Sequence, residues 1–266
     1  MKIIRFSDAR GDIGFARDHD GNMDRLEGNL ESGFRLSGEK ARVARVLPAV
    51  APTAIFCIGL NYIKHAVETG ARIPRWPVLF MKNPASAAAA GQPVEIPRHL
   101  ASGQVDYECE LAVVIGRRCK NVTRAEALDY VAGYACANDV SARDWQKERG
   151  GSQWCRGKSF DTFCPLGPCL VTPDEIPNPN ALRIRTILNG EVVQDSNTAD
   201  MIFDIPTIIE FLSGSTTLHP GSVILTGTPS GVGMACDPPR WLKPGDVMTV
   251  EIDKIGSLTN PVILEP

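Results

Sequence analysis

The stretch "VDYECELAVVIG", residues 105–116, decides the fold. Its second half is an apolar run closed by Gly116, the pattern of a strand buried on both faces. Its first half carries Glu108 and Glu110, two residues apart. Strand side chains alternate between faces, so the two carboxylates project to one side while Tyr107, Cys109 and Leu111 project to the other. Burying an unpaired carboxylate costs several kcal/mol or forces it to take up a proton. A divalent cation between the two acids offsets the burial cost and the mutual repulsion together. The competing reading is a solvated edge strand bearing two surface acids, and the poor alternation of "LAVVIG" argues against it.

A third acid lies in "ACANDVSARDWQ", residues 135–146, where Asp139 follows a mostly apolar run. Ser141, with Asp144 three residues on, forms a capping box for a helix over "SARDWQKERG", which leaves Asp139 free to ligate. Three carboxylates suit a hard cation, Mg²⁺ before Mn²⁺ or Ca²⁺, and argue against zinc, which prefers nitrogen and sulfur. Arg143 and Gln146, one helical turn apart, would point together toward Asp139; a solvated helix face is the plainer alternative.

The segment "NYIKHAVETG", residues 61–70, reads as a short helix with Asn61 as N-cap and Gly70 as its stop. His65 and Glu68 at i and i+3 share a face, and a hydrogen bond between them would set the imidazole tautomer and raise its basicity. That is the form of a general base, set against a surface helix where His and Glu coincide by chance. Flanking Gly59 and Gly70 would let the segment move as a lid. Lys158, in "RGKSFDTFCPLGP", could stabilise an oxyanion or a substrate carboxylate if buried, or be an ordinary loop lysine. In "LTGTPSGVG", residues 225–233, a strand runs into a loop whose amides and Thr228 hydroxyl could hold a carboxylate. It lacks the GK[ST] ending of a phosphate loop.

The wider composition agrees with a small-molecule protein. A formal charge of −3 over 266 residues leaves no field to draw nucleic acid or anionic lipid. Twenty prolines and 24 glycines in a chain that is 43% hydrophobic imply short segments joined by turns, hence a β-rich α+β fold. No apolar stretch approaches the roughly 18 to 20 residues of a membrane helix, and the charged N-terminus lacks a signal-peptide centre, so a cytoplasmic protein is expected. The eight cysteines form no CxxC pair and read as reduced core residues. A shift to more apolar sequence near Pro48 to Pro52 divides a small N-terminal domain, 1–48, from a larger domain, 49–266. Within the latter, Asn189-Gly190 predicts a hairpin, "TRAEALDYVAG" a helix capped by Thr123 and Glu126, and "IPTIIEFLSG" a helix opened by Pro206 and ended by Gly214.

These motifs, with "PVLFMKNP", "LNGEVVQDSNTADMIF", "TLHPGSVILTGTPSGVG" and "LKPGDVMTVEIDKIGSLTN", span roughly residues 50–264. The sequence resembles the fumarylacetoacetate hydrolase family. That resemblance implies a rolled mixed β-sheet, a homodimer, and Mg²⁺ or Mn²⁺ held by Glu108, Glu110 and Asp139. It also implies a water-activating dyad of His65 and Glu68, and substrate contacts from Lys158, Arg143, Gln146 and Thr228. The expected activity is hydrolysis of a carbon-carbon bond in 1,3-diketone acids of the acylpyruvate type, giving a 2-oxo acid and a carboxylic acid. The alternatives are an oxaloacetate-type decarboxylase and a 2-hydroxy-dienoate isomerase or tautomerase on the same scaffold. The dyad favours hydrolysis, since decarboxylation needs no water nucleophile. A metal-dependent binder without turnover is the reading from another class, and the dyad and Lys158 weigh against it. Specificity for the substrate's tail is expected from side chains such as Ile63, Trp76, Trp154 and Trp241.

Overall fold

A computed structural model describes residues 1–19 and 21–266. The strand Cys109–Ile115 is buried along its whole length, and its two faces enter two separate cores. Cys109, Leu111, Val113 and Ile115 pack with Ile184, Val250, Ile252 and the helix residues Ile205, Ile208 and Leu212. Ala112 and Val114 pack on the opposite side with Ile55, Cys57, Leu166 and Leu225. Small residues on that second face let the next layer approach closely, and Glu110 shares it by strand alternation.

Cys109–Ile115 lies inside a 12-stranded sheet, between the antiparallel strands Val131–Asn138 and Ser222–Leu225. Beyond Ser222–Leu225 the sheet continues through the parallel strand Ala54–Gly59 and ends at Val78–Lys82. In the other direction it runs through Cys164–Val171 to Lys2–Ser7 and then the antiparallel strands Ile13–His19, Asn22–Asn29 and Gly33–Lys40. The N-terminal strands are thus hydrogen-bonded into the main sheet through Lys2 and Ile3, opposite Val171 and Leu170. A five-stranded sheet built on Arg183–Leu188, Glu191–Asn197, Val247–Ile252 and Gly256–Leu264 covers the first core. The fold is a β-rich α+β structure with mixed sheets, as the composition predicts.

Local signals account for the connections, with two departures. Asn189 (φ 52°) and Gly190 (φ 85°) both adopt positive φ between Arg183–Leu188 and Glu191–Asn197, the two-residue turn that matches strand twist. Pro206 sits in the first turn of Ile205–Ser213, where the Asp204 carboxylate caps Thr207 N at 3.0 Å. The expected helix at 123–133 is only a 3₁₀ turn, Ala127–Tyr130, although Thr123 Oγ1 does donate to Glu126 at 2.7 Å. Ser141 is not a helix cap: Ser141–Ala142 pairs with Val105–Asp106, and the Asp144 carboxylate accepts Trp145 N instead. That extra strand pairing follows Asp139 closely and puts the helix cap at Asp144, three residues later than expected.

All eight cysteines are free thiols, and six of them are buried. Burial pushes the Cys57 and Cys136 thiols well up, which keeps them protonated as apolar packing groups. Among the described residues no helix is long and apolar enough to cross a membrane.

The Asp204 cap gives a testable consequence. Its carboxyl is held below the usual range: burial opposes this, but hydrogen bonds from Thr207 and Arg124 outweigh it. Asp204→Ala should cost about 1 kcal/mol in urea unfolding at neutral pH. Because the folded pKa is depressed, the contribution is complete above the unfolded value of about 4 and fades as pH falls through the folded one. The stability gap between variant and parent should therefore narrow under acid conditions.

Candidate active site

Glu110 enters the site from Cys109–Ile115, and Glu108 from the two residues that separate that strand from Val105–Asp106. The expected single strand is therefore interrupted at Tyr107 and Glu108. Glu108 N donates to Asn138 Oδ1 at 2.9 Å and its carbonyl accepts Asp139 N at 2.9 Å, which locks it against the end of Val131–Asn138. One carboxylate oxygen from each of Glu108, Glu110 and Asp139 lies within 4.8 Å of the others, and all three residues are buried.

The compensation for this charge is partly protein. Lys158 Nζ bridges Glu108 Oε2 and Asp139 Oδ2, each at 2.7 Å. Lys82 Nζ lies 2.5 Å from Asp139 Oδ1 and donates to Val140 O at 3.1 Å. Arg143 Nη1 meets Glu108 Oε1 at 2.6 Å, while its Nε donates to Asp106 Oδ2 at 2.9 Å. Asp106 and Lys82 were not singled out in the sequence. Asp106 stands two residues before Glu108 in the same alternation, a signal that was available. Lys82 ends an apolar strand at the sheet edge, where a lysine ordinarily reaches solvent.

The three acids differ in how they are satisfied. Burial raises the Glu108 carboxyl, but the adjoining Lys158 and Arg143 charges overcome that and hold it at about 2. Among the described residues Glu110 has no cation within ion-pair distance; it accepts Gly227 N, at 2.6 Å. Burial, together with the Asp139 and Glu108 charges, pushes its carboxyl well above the usual range. A carboxylate aimed into an acidic cluster with no counter-charge of its own fits a further cation, and three oxygen donors fit a hard dication such as Mg²⁺ or Mn²⁺. Each paired carboxylate oxygen keeps a second lone pair for that purpose.

His65 is buried on Ile63–Glu68, and its Nδ1 lies 3.1 Å from Glu68 Oε2. Asn61 does not cap this helix. Its side chain instead donates to Thr226 O (2.7 Å) and Phe203 O (3.0 Å) and accepts Phe203 N (2.8 Å), stapling three segments behind the site. The dyad is also tied down by Gly231 N to Glu68 Oε1 at 2.7 Å and by Lys64 N to Asp200 Oδ2 at 3.1 Å. Gly59 serves close packing: a Cβ there would come within 2.2 Å of the Trp154 ring. The positive φ on this side belongs to Leu60, at 53°.

The loop after Ser222–Leu225 does hold carboxylates through its amides, but they are the chain's own. Gly227 N binds Glu110, Gly231 N binds Glu68, and Gly233 and Met234 N bind Asp106. Thr228 Oγ1 accepts Gln194 Nε2 at 2.9 Å, which leaves its hydroxyl hydrogen to donate. Gln146 Oε1 accepts Arg143 Nη1 at 3.0 Å. His65, Glu108, Glu110, Arg143, Gln146, Lys158 and Thr228 all line one cavity of about 240 Å³. Its apolar wall comes from Ile58, Phe80, Trp154 and Met234. Of the side chains expected at the substrate's tail only Trp154 lines it; Ile63 and Trp76 face solvent, and Trp241 lies elsewhere.

Residues 54–263 match the family described as fumarylacetoacetate (FAA) hydrolase C-terminal. The chain belongs to the fumarylacetoacetate hydrolase family of enzymes. It is 47% identical over 224 residues to the oxaloacetate tautomerase fahd2, mitochondrial, of Xenopus laevis, covering 84% of this chain and 70% of that protein. It is 44% identical over 224 residues to the human oxaloacetate tautomerase FAHD2A, mitochondrial, covering 84% and 71%. Among solved structures, the 5-carboxymethyl-2-hydroxymuconate delta-isomerase of Mycobacterium smegmatis superposes with a TM-score of 0.87 at 35% identity, over the full length of both chains.

Two substitutions probe the cluster. Glu110→Gln should weaken Mn²⁺ binding at least about tenfold by calorimetry, as expected for a group contributing directly to the site. It should not lower the melting temperature of the metal-free protein, because it relieves a buried repulsion. Lys82→Met should cost about 3 kcal/mol in urea unfolding, since it strips a buried carboxylate of a partner. A loss under about 1 kcal/mol would show that Lys82 does not carry that burden.

Proposed function

We propose that this protein is a metal-dependent tautomerase or isomerase of small 2-oxo acids, with oxaloacetate its leading substrate. The 47% identity to a protein named as an oxaloacetate tautomerase carries this reading, and the cavity chemistry supports it. The sequence-based expectation of carbon-carbon hydrolysis therefore yields to its alternative. A dication on Glu108, Glu110 and Asp139 would supply Lewis-acid polarisation of the 2-oxo carbonyl.

The residues of the chain divide the remaining work. Arg143 and Lys158 border the cavity as buried cations and oppose negative charge on the substrate's carboxylate and carbonyl oxygens. Gln146 and the Thr228 hydroxyl orient the acid by hydrogen bonds. With Nδ1 bound to Glu68, His65 has Nε2 left for proton transfer. Keto–enol exchange moves one proton between the enol oxygen and the adjacent carbon, with no water consumed and no change of oxidation state. His65 accepts the proton and returns it, and Glu68 steadies the imidazolium in between. The wall of Ile58, Phe80 and Trp154 limits water at the reacting carbon.

The same dyad can activate water, so an acylpyruvate hydrolase is the second reading. Ultraviolet decay of enol-oxaloacetate, followed beside hydrolysis of an acylpyruvate panel, separates the two. Metal-dependent acceleration of the enol decay is expected, with loss on EDTA treatment and recovery on adding Mg²⁺. Hydrolysis without tautomerisation would overturn the proposal. His65→Ala should slow the tautomerisation by about 10² or more while leaving Mn²⁺ affinity nearly unchanged.

A further inference from the structure

The cavity is lined by one further cation to which neither the sequence motifs nor the carboxylate cluster assigns a task, Lys147. The other lining cations are committed: Arg143 to Asp106 and Glu108, and Lys158 to Glu108 and Asp139. Lys147 is exposed at the cavity mouth, and among the described residues no carboxylate lies within ion-pair distance of it. Its neighbour Arg149 is occupied by Asp144 and by the Ala101 carbonyl.

Local backbone explains how Lys147 reaches the cavity together with Gln146. The two residues belong to a π-helical turn, Trp145–Arg149, that follows Arg143 directly. Gln146, in the first part of that turn, meets the Arg143 guanidinium, and Lys147 follows it at the cavity lining. Arg143, Gln146 and Lys147 thus reach one cavity from a single short segment.

Charge decides what Lys147 is for. When ionised, Asp106, Glu108, Glu110 and Asp139 exceed Arg143, Lys82 and Lys158 by one negative charge. A bound dication turns that into a single positive charge, which a 2-oxo acid with one carboxylate neutralises. A second carboxylate on the substrate then has no counter-charge in the buried cluster, and the apolar wall cannot provide one. Among the described residues Lys147 is the lining lysine or arginine not already paired with a carboxylate.

Resting on the functional reading above, we infer that Lys147 is a specificity-determining residue that binds the distal carboxylate of a dicarboxylic 2-oxo acid. It selects such dianions over monocarboxylic acids of the same length. The contact is a charge-assisted hydrogen bond at the mouth of the cavity, so it acts on binding and touches none of the proton-transfer groups.

The test is calorimetric binding of freshly dissolved oxaloacetate and of 2-oxobutanoate, matched in chain length, to the Mg²⁺-loaded protein. Lys147→Met should weaken oxaloacetate about tenfold, the loss expected for one charge-assisted hydrogen bond. It should leave 2-oxobutanoate within about twofold, and Lys147→Arg should restore most of the oxaloacetate affinity. In kinetics the Met variant should raise KM and spare kcat. Equal weakening of both acids, or weakening of neither, would overturn the inference, as would parent protein that binds the two acids equally well. Parent protein that prefers oxaloacetate through Lys147 yet fails to tautomerise it would overturn the functional reading and leave this inference standing. Parent protein that binds neither acid would overturn both.

Discussion

Four carboxylates share a small buried volume at the head of Cys109–Ile115, and the surrounding structure is arranged to make that tolerable. Asp106, Glu108 and Asp139 are each met by a buried cation. Glu110 is the exception, answered only by an amide. The imbalance is local: Lys82, Lys158 and Arg143 answer the other three acids and leave Glu110 short of positive charge. A site built this way could hold a dication at one place, with room for an anionic ligand beside it.

The topology explains why so many segments converge there. A strand buried on both faces cannot carry a charge along its middle, so the acids appear at its end, where the sheet opens. Neighbouring elements supply the other groups. Val131–Asn138 delivers Asp139, Val78–Lys82 delivers Lys82, and Ser222–Leu225 continues into the loop that supplies amides to Glu110, Glu68 and Asp106. That loop is the mechanical link between the acidic cluster and the His65 dyad. Its amides bind both, so a movement of the dyad helix would be felt at Glu110. Gly227, with φ of 100° and Asn61 where a Cβ would sit, is required by that close approach.

Tautomerisation, decarboxylation and hydrolysis of 2-oxo acids share one physical demand, stabilisation of negative charge on the oxygens next to the reacting carbon. On the proposed reading, the cluster with a dication would meet that demand whichever reaction follows. On the same reading, the choice among reactions would rest on what His65 and Glu68 do with a proton and on which acid the cavity admits. This is why the relatives of the chain can carry names of tautomerases and isomerases while the same residues also fit a hydrolase.

The sequence by itself determined the β-rich class, the buried strand, the Asn189-Gly190 hairpin and the candidate acids, because each follows from short-range periodicity, turn chemistry or the cost of burying charge. It also placed His65 beside Glu68, since three residues on a helix are neighbours whatever else the chain does. Only the tertiary structure decided the counter-charges. Lys82 is 57 residues from Asp139 in sequence and no local pattern links the two; Asn61 looked like a cap and is a staple; Ser141 looked like a cap and is part of a strand pair. Local rules identify groups that need a partner, but the partner is chosen by which strands lie side by side. That pairing is set by burial summed over the whole sheet, which no window of sequence contains.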